Sequence, residues 1–150
     1  KDQYKGYSKV NLAPEAPGII MTSAEVYFLL AEAALRGWNV GISADAAYKA
    51  GVSASMVQWG ANMGDYLLSD KTAAPYVDAH NPVNNVLVGS QYLNSVSPKW
   101  DENDSKEVKL QKIITQKWIA GFPEGINAWA EQRRTGYPKI FPVVKNDSQG

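Results

Sequence analysis

The stretch Thr22–Gly37 constrains the fold of this 150-residue chain more than any other segment. Thr22 is followed three residues later by Glu25, the spacing of a capping box, in which each side chain binds a backbone N–H at the start of a helix. Alanine, leucine and glutamate dominate the interior, and all three are strong helix formers. Gly37 follows the last periodic residue and suits a left-handed C-cap. The stretch therefore predicts an α-helix with defined ends.

Charged residues are few on this predicted helix and lie on one side of it. Glu25, Glu32 and Arg36 recur at i, i+7 and i+11, which places them on one narrow stripe. The other faces are apolar, and a helix that is apolar nearly all round is usually enclosed by protein. We therefore expect later helices to bury this helix on several sides.

Composition excludes several classes of protein. Lys+Arg and Asp+Glu each number 15, so the formal net charge is zero. The sequence therefore lacks the excess of positive charge that is typical of proteins that bind nucleic acids or anionic membranes. The absence of cysteine excludes disulfides, thiol catalysis and zinc–thiolate sites within this sequence. No apolar run reaches the roughly 18 residues that a membrane-spanning helix needs. The composition, 45% hydrophobic and 20% charged, is typical of a globular domain.

A second helix is predicted from the N-cap candidate Ser43 to about Trp59. Small residues dominate its first half, which favours close approach of another helix. Gly51 falls inside it, so the pattern predicts either one continuous helix or a helix broken there. The first two helices thus form one predicted pair, over residues 22–64.

A second predicted pair occupies residues 105–138. Asp104 or Ser105 caps a third helix that ends near residue 120, before Gly121 and Pro123. The fourth helix spans roughly 124–134. The residues of this pair that we expect to face the core are Trp118, Ile126, Trp129 and Ala130.

Between the two pairs, residues 65–104 form a long irregular insert, rich in Pro, Asn and Ser. One helical turn is predicted at 65–68, and the run Val86–Val88 is either an isolated strand or a helical turn. Residues 1–21 are expected to form an extended lead-in and 139–150 an apolar tail. The predicted fold class is all-α, with tetratricopeptide-like stacked helix hairpins and a long irregular insert within a single helical domain.

Four stretches, in the same order along the chain, resemble one known family. They are MTSAEVYFLLAEA (Met21–Ala33), YKAGVSASM (Tyr48–Met56), QKWIA (Gln116–Ala120) and WAEQRRTGYP (Trp129–Pro138). Together they resemble the SusD/RagB-like outer-membrane lipoproteins. The resemblance covers residues 21–138 and is more specific than any argument from composition.

The resemblance implies an all-helical fold built on tetratricopeptide-like helix pairs. It also implies a lipoprotein on the cell-surface side of the outer membrane, held there only by an N-terminal lipid anchor that this sequence does not contain. Such proteins bind glycans, or sometimes peptides, above a SusC-like TonB-dependent transporter. The earlier helices and the segment after the RRTGYP motif are also missing, so the sequence looks like a C-terminal-half fragment.

Loop-borne aromatic residues are the candidate ligand-binding groups. Their flat apolar faces can stack on the C–H faces of sugar rings, while neighbouring amides and carboxylates bind hydroxyls. The alternative is that these side chains only cover the helical scaffold. The candidate residues are Trp38, Trp59, Tyr66, Tyr76, Tyr92, Trp100, Asp101 and Asn103.

The adjacent Arg133 and Arg134 favour a structural ion pair over an anion-binding clamp. A carboxylate on a buried helix needs a counter-charge, because an unpaired buried charge is very costly. The sequence therefore predicts a bridge from Glu32 to Arg133 or Arg134.

Catalytic and metal-binding patterns have little support. The alternation of Asp101, Asn103, Ser105 and Glu107 resembles a calcium loop, but Lys replaces the required Gly and Glu at its sixth and twelfth positions. His80 is the sole histidine, and no nucleophile or phosphate-loop motif occurs. We expect no metal, no cofactor and no enzymatic activity.

The sequence is consistent with two alternative functions. The first is non-catalytic binding of a glycan nutrient at the outer-membrane surface, for delivery to a SusC-like TonB-dependent transporter. The alternative is a tetratricopeptide-like scaffold for protein–protein interaction. An exposed cluster of aromatic and amide groups would favour the first, and an apolar helix groove the second.

Overall fold

The computed structural model describes residues 10, 11, 13–16, 18–142 and 144. Eleven of the 21 residues of the predicted lead-in and seven of the 12 residues of the predicted tail therefore lie outside the described residues. Within them the regular structure is helical, and the only strand-like pairing is an isolated antiparallel bridge between Tyr76 and Val86. The elements are α1 (Ser23–Leu35), α2 (Ala44–Gln58), α3 (Lys106–Ala120) and α4 (Gly125–Thr135), with 3-10 turns at Tyr66–Leu68 and Pro82–Asn84. The predicted all-α architecture of two helix hairpins and a long irregular insert is confirmed.

Side-chain caps fix where three of the helices begin. The hydroxyl oxygens of Thr22, Ser43 and Ser105 each accept a hydrogen bond from the backbone N–H three residues later, at 3.1, 3.2 and 3.2 Å. These bonds satisfy N–H groups that have no partner inside the helix. The predicted N-caps Thr22 and Ser43 are confirmed, and Ser105 rather than Asp104 caps α3.

Glycine fixes the end of α1. Gly37 has a φ of +92°, which is strained for residues with a Cβ atom. Its N–H binds the Ala34 carbonyl at 2.9 Å, and the N–H of Trp38 binds the Ala33 carbonyl at 3.0 Å. This pair of bonds is a Schellman motif. The predicted left-handed C-cap at Gly37 is thus confirmed.

The contact pattern separates the chain into two compact units. The larger, Ile19–Ala73 with Ser95–Pro138, contains all four helices. In it α1 packs most extensively against α2 and also contacts α3. The buried apolar residues of this unit are Ala24, Phe28, Ala31, Ala47, Tyr48, Val52, Ile113, Ile114 and Ala120.

The smaller unit, Lys1–Gly18 with Ala74–Asn94 and Lys139–Gly150, is organised around one buried carboxylate. Asp78 accepts hydrogen bonds from the backbone N–H groups of His80 and Asn81, each at 2.8 Å. The Asn84 amide and the Tyr76 hydroxyl also donate to it. These bonds hold the loop that leads to the Tyr76–Val86 bridge, so Val86 lies in a strand-like pairing and not in a helical turn.

The most enclosed helix is α3. Seven consecutive residues of α3, 111–117, are buried, which covers every face of its centre. By contrast α1 buries Ala24, Phe28, Ala31 and Glu32 and leaves an apolar face with Val26 and Leu29 exposed. The expectation that later helices bury α1 therefore holds for its faces toward α2 and α3 and is wrong for the face of Val26 and Leu29, because apolar composition alone does not fix which faces of a helix are covered.

The buried polar side chains of α3 have specific partners. Lys112 donates to the Asp104 carboxylate and to the Lys99 carbonyl oxygen. Lys117 pairs with Glu131 at 3.0 Å. Because each ammonium is matched by an oxygen of the chain and its methylenes cover apolar surface, a lysine-rich helix can occupy the centre of the unit.

Helix α4 does not bury the residues expected of it. Ile126 is 82% exposed and Trp129 61%, and Ala130 is exposed too. None of the helix's side chains falls in the buried class within the described structure. Polar contacts instead join α4 to the other helices, as described below.

Gly51 lies inside one continuous α2 and packs against the Phe28 ring of α1. A Cβ atom at this position would lie 2.8 Å from the Phe28 ring, and Phe28 is fully buried, so the ring has little room to move. Gly51→Ala is expected to lower the free energy of unfolding by up to about 2 kcal/mol, since the overpacking cost of roughly 1–3 kcal/mol is offset by only ~1 kcal/mol gained in helix propensity.

Urea denaturation tests this prediction, with Gly125→Ala in α4 as the matched control. A Cβ atom at Gly125 meets nothing within 4 Å, so alanine should be neutral or stabilising there. Equal effects of the two substitutions would contradict the close approach at Phe28.

Candidate functional site

The end of α2 and the turn after it place an indole and a phenol beside α3. Trp59 is the C-cap of α2, and Gly60, with a φ of +61°, follows it in a turn. The 3-10 turn Tyr66–Leu68 then brings Tyr66 back against α3, where its hydroxyl contacts the amide of Gln116. Residues 50 positions apart in sequence thus become neighbours.

Three aromatic rings form an open groove, which we call the aromatic groove: those of Trp59, Trp118 and Phe122. Trp59 and Phe122 have ring centroids 5.9 Å apart at an interplanar angle of 56°. All three rings are partly exposed, and Ile119 and Pro123 complete an apolar wall. The volume of about 450 Å³ lies within the roughly 300–1,000 Å³ usual for ligand sites.

A second cavity, of about 210 Å³, adjoins this groove through Trp59 and Ile119, which line both. Its polar contact point is the pair formed by the Tyr66 hydroxyl and the Gln116 amide, with the hydroxyl oxygen 3.2 Å from Oε1 and 2.9 Å from Nε2. We call it the Tyr66–Gln116 cavity. An apolar wall with a few hydrogen-bonding groups is the usual make-up of a small-molecule site.

Two of the sequence-predicted ligand residues, Trp59 and Tyr66, are therefore brought together. Trp38 is 68% exposed in the turn after α1 and is not part of the groove lining. Tyr92 is also exposed, in the smaller unit, where its backbone N–H binds the Ser90 hydroxyl at 3.2 Å. Tyr76 packs its ring against Phe141 at 5.0 Å in the same unit.

The predicted cluster around Trp100 is engaged by its own chain. The Trp100 ring lies 5.1 Å from the ring of Tyr48, and its indole N–H donates to Glu102 at 2.9 Å. Asp101 accepts hydrogen bonds from both the backbone and the side-chain amide of Asn103, at 2.8 and 3.0 Å. These backbone and side-chain bonds lower the pKa of the Asp101 carboxyl. The geometry here is that of a turn.

Sequence reasoning missed Trp118 as a groove residue. It was expected in the core, as was Trp129, but Trp118 is 43% exposed. The run of consecutive buried residues on α3 ends at Lys117, and although Ala120 in the last turn is buried again, Trp118 and Ile119 face outward. The position of Trp118 just before the Gly121–Pro123 helix stop is the signal that could have revealed this.

Glu32 is the centre of an ion-pair network that joins α1, α3 and α4. Arg134 donates to both carboxylate oxygens of Glu32, each at 2.7 Å, and Arg36 donates to one of them at 3.0 and 2.7 Å. Arg134 also pairs with Glu131, which in turn pairs with Lys117. Burial alone would raise the pKa of Glu32, but hydrogen bonds and charges from Arg134 and Arg36 outweigh it and leave that pKa lowered.

Of the two predicted arginines, Arg134 is the one that reaches Glu32. The guanidinium of Arg133 lies over the ring of Trp129, 4.9 Å from its centroid, in a cation–π contact. Neighbouring residues on a helix point about 100° apart. The arginine pair therefore divides its two charges between an ion pair and an exposed aromatic ring.

Metal-binding and membrane-spanning features are absent from the part of the chain that the structure describes. Its His, Asp and Glu side chains form no group of three or more that could hold a metal ion. No described helix has the length and apolarity to cross a bilayer.

Comparisons with known proteins identify the family. The model of the SusD-like family, described as SusD and RagB outer membrane lipoprotein, matches residues 1–150. A chitin-binding SusD homologue from Flavobacterium johnsoniae is 55% identical over 87% of this chain and 27% of its own, with a TM-score of 0.77. A SusD homologue from Bacteroides vulgatus is 42% identical over 100% of this chain and 30% of its own, with a TM-score of 0.87. No match is found among curated proteins.

The chain thus spans a little under a third of the length of these solved relatives. A third, a SusD homologue from Bacteroides uniformis, is 41% identical over 93% of this chain and 28% of its own, with a TM-score of 0.82. With the family model matched along the whole sequence, this chain belongs to the SusD-like family of outer membrane lipoproteins.

Proposed function

We propose that this chain is part of a cell-surface protein that binds a glycan without changing it chemically. The observation that supports the proposal most is the aromatic groove with the hydrogen-bonding Tyr66–Gln116 cavity at its side. The similarity to a chitin-binding homologue at 55% identity points to the same ligand class.

The mechanism is stacking combined with hydrogen bonding. Trp59, Trp118 and Phe122 offer apolar faces to the C–H faces of sugar rings, while Tyr66 and Gln116 offer a donor and acceptors. Glycoside hydrolysis needs two carboxyl groups on either side of the scissile bond. The described lining of the groove and cavity includes one, Glu124. The arrangement favours binding over hydrolysis.

We further propose the cellular setting that the family suggests. The complete protein is held at the outer membrane, on the cell-surface side, by an N-terminal lipid anchor. It passes the bound glycan to a SusC-like TonB-dependent transporter. Non-covalent binding suits this role because the ligand must be released unchanged.

Substitution of the groove aromatics tests the proposal. Trp59→Ala and Trp118→Ala should each weaken glycan binding about tenfold or more, since an aromatic anchor in an interface is worth roughly 2 kcal/mol. Affinity electrophoresis against a polysaccharide panel, with the longest natural polypeptide that contains this sequence, provides the measurement.

Trp129→Ala is the matched control, because Trp129 is exposed on α4 and lies outside the groove lining. It should leave retardation unchanged. If the panel retards the protein but neither groove variant alters the retardation, the ligand binds elsewhere. If no polysaccharide retards it, glycan binding itself is refuted.

The protein–protein scaffold is a second candidate because α4 exposes Ile126 and Trp129 on one face. Three-to-four-residue spacing of exposed apolar side chains is how a helix presents anchors to a partner. Capture of a peptide that Trp129→Ala abolishes, with no retardation on any glycan, would favour this function.

A further inference from the structure

The Tyr66–Gln116 cavity has a composition that limits what it can accept. Its accessible apolar walls are the side chains of Met56, Ala61 and Ile119, and Trp59 lies at the edge that it shares with the aromatic groove. No charged residue lines it within the described structure. A charged ligand group would therefore lose its hydration there without gaining a counter-charge, which is costly.

Gln116 gives this apolar cavity a polar floor. The side chain is held within α3 and is only 8% exposed. A carboxamide has an acceptor oxygen with two lone pairs and two N–H donors. The Tyr66 hydroxyl contacts this oxygen and this nitrogen but does not use all of their hydrogen-bonding positions. A ligand that carries one donor and one acceptor can thus form hydrogen bonds with the Gln116 amide and the Tyr66 hydroxyl, which are already held in place.

We infer that the Tyr66–Gln116 cavity receives the acetamido group of an N-acetylated amino sugar. The inference rests on the proposed function and names its substrate class. An acetamido group carries one N–H, one carbonyl and one methyl group, which match the amide and hydroxyl of the floor and the apolar walls. The sugar ring that bears it lies against Trp59, in the aromatic groove.

Other substituents match the cavity less well. A hydroxyl group brings no apolar surface to the walls formed by Met56 and Ile119. A free ammonium or a carboxylate brings a charge that nothing in the cavity pairs with. The cavity thus discriminates by chemistry at a single ring position, while the aromatic groove accepts the sugar ring itself.

Three β-1,4-linked oligosaccharides of equal length separate these cases, because they differ only at carbon 2 of each ring. Chito-oligosaccharide carries the acetamido group, chitosan oligosaccharide a free amine, and cello-oligosaccharide a hydroxyl. Isothermal titration calorimetry on the longest natural polypeptide that contains this sequence should give at least about tenfold tighter binding of the acetylated ligand than of the other two.

Two conservative variants locate the selectivity. Gln116→Met keeps the side-chain length and Tyr66→Phe keeps the ring, so both should fold, which circular dichroism and the melting temperature verify. Gln116→Met should bring the affinity ratio between acetylated and hydroxyl ligands close to one, and Tyr66→Phe should reduce it. Tyr92→Phe, outside the cavity, is the control and should leave the ratio unchanged.

The outcomes separate the inference from the function. Equal binding of the three oligosaccharides, or retention of another glycan without an acetamido group in preference to them, overturns the inference and leaves glycan binding intact. A preference for the acetylated ligand that persists in both variants also overturns the inference, since the acetamido group then binds outside the Tyr66–Gln116 cavity. Absence of binding to every glycan tested overturns the inference and the proposed function together.

Discussion

A Tyr48→Ala variant is expected to lose about 3–5 kcal/mol of unfolding free energy, the usual cost of removing a large buried aromatic side chain. Tyr48 is fully buried and packs edge-to-face on Phe28, with ring centroids 6.2 Å apart. Its other face lies against Trp100, at 5.1 Å. Truncation would open a cavity among three rings, in a domain whose total stability is typically only about 5–15 kcal/mol.

The hydroxyl of Tyr48 makes a separate contribution. It donates a hydrogen bond of 2.7 Å to the carbonyl oxygen of Pro98, which is itself buried. Burial raises the pKa of the phenol, so it remains a donor across the physiological range. Tyr48→Phe should therefore cost about 1–2 kcal/mol, because the carbonyl loses its partner.

Urea denaturation monitored by circular dichroism measures both variants. The order wild type, Tyr48→Phe, Tyr48→Ala is the expected result. If Tyr48→Ala unfolds at the same urea concentration as the wild type, Tyr48 does not occupy the centre of the core.

Replacing Arg36 and Arg134 together by alanine is expected to cost roughly 2–4 kcal/mol. Breaking a buried ion pair typically costs about 3–5 kcal/mol, but both arginines are partly exposed here, which lowers the cost. The loss comes chiefly from Glu32, whose side chain is only 8% exposed and would remain buried without a counter-charge. Since α4 buries no described side chain, amide exchange in α4 should rise most.

In the double arginine variant, the contribution of Glu32 to the pH dependence of stability should change sign. In the wild type the lowered pKa of Glu32 stabilises the fold above the ordinary carboxyl pKa, and this stabilisation is lost as the pH falls below about 4. Without the arginines, burial alone raises the pKa of Glu32, so mild acidification should stabilise the double variant relative to its own value at neutral pH. Melting temperatures between pH 3 and pH 7 measure this sign.

Lys49→Ala is the control for this experiment. It removes an exposed i,i+4 pair with Asp45, which is worth at most about 0.5 kcal/mol. Identical pH profiles of the wild type and the double arginine variant would argue against Glu32 as the centre of the network.

The helices could be predicted closely because their ends are local. Thr22, Ser43 and Ser105 satisfy N–H groups three residues away, and Gly37 takes a backbone conformation that few other residues adopt. Such interactions are complete within one turn, so sequence spacing is enough to recognise them.

The candidate site could be predicted only in part. The sequence places Trp59 and Tyr66 among the expected ligand residues because they are aromatic residues in or beside loops. That they meet Gln116, and that Trp118 and Phe122 extend the same surface, depends on contacts across about 50 positions. A list of loop aromatics does not contain that information, and neither does helical periodicity.

By itself the sequence determined which segments are helical, where they begin and end, and that a buried Glu32 requires an arginine. Only the tertiary structure decided which helix lies at the centre. The apolar α1 leaves a face exposed, while α3, which contains four lysines and two glutamines, is enclosed over residues 111–117. The physical reason is that burial depends on whether each polar group finds a partner, and the partners Asp104, Tyr66 and Glu131 come from other parts of the chain.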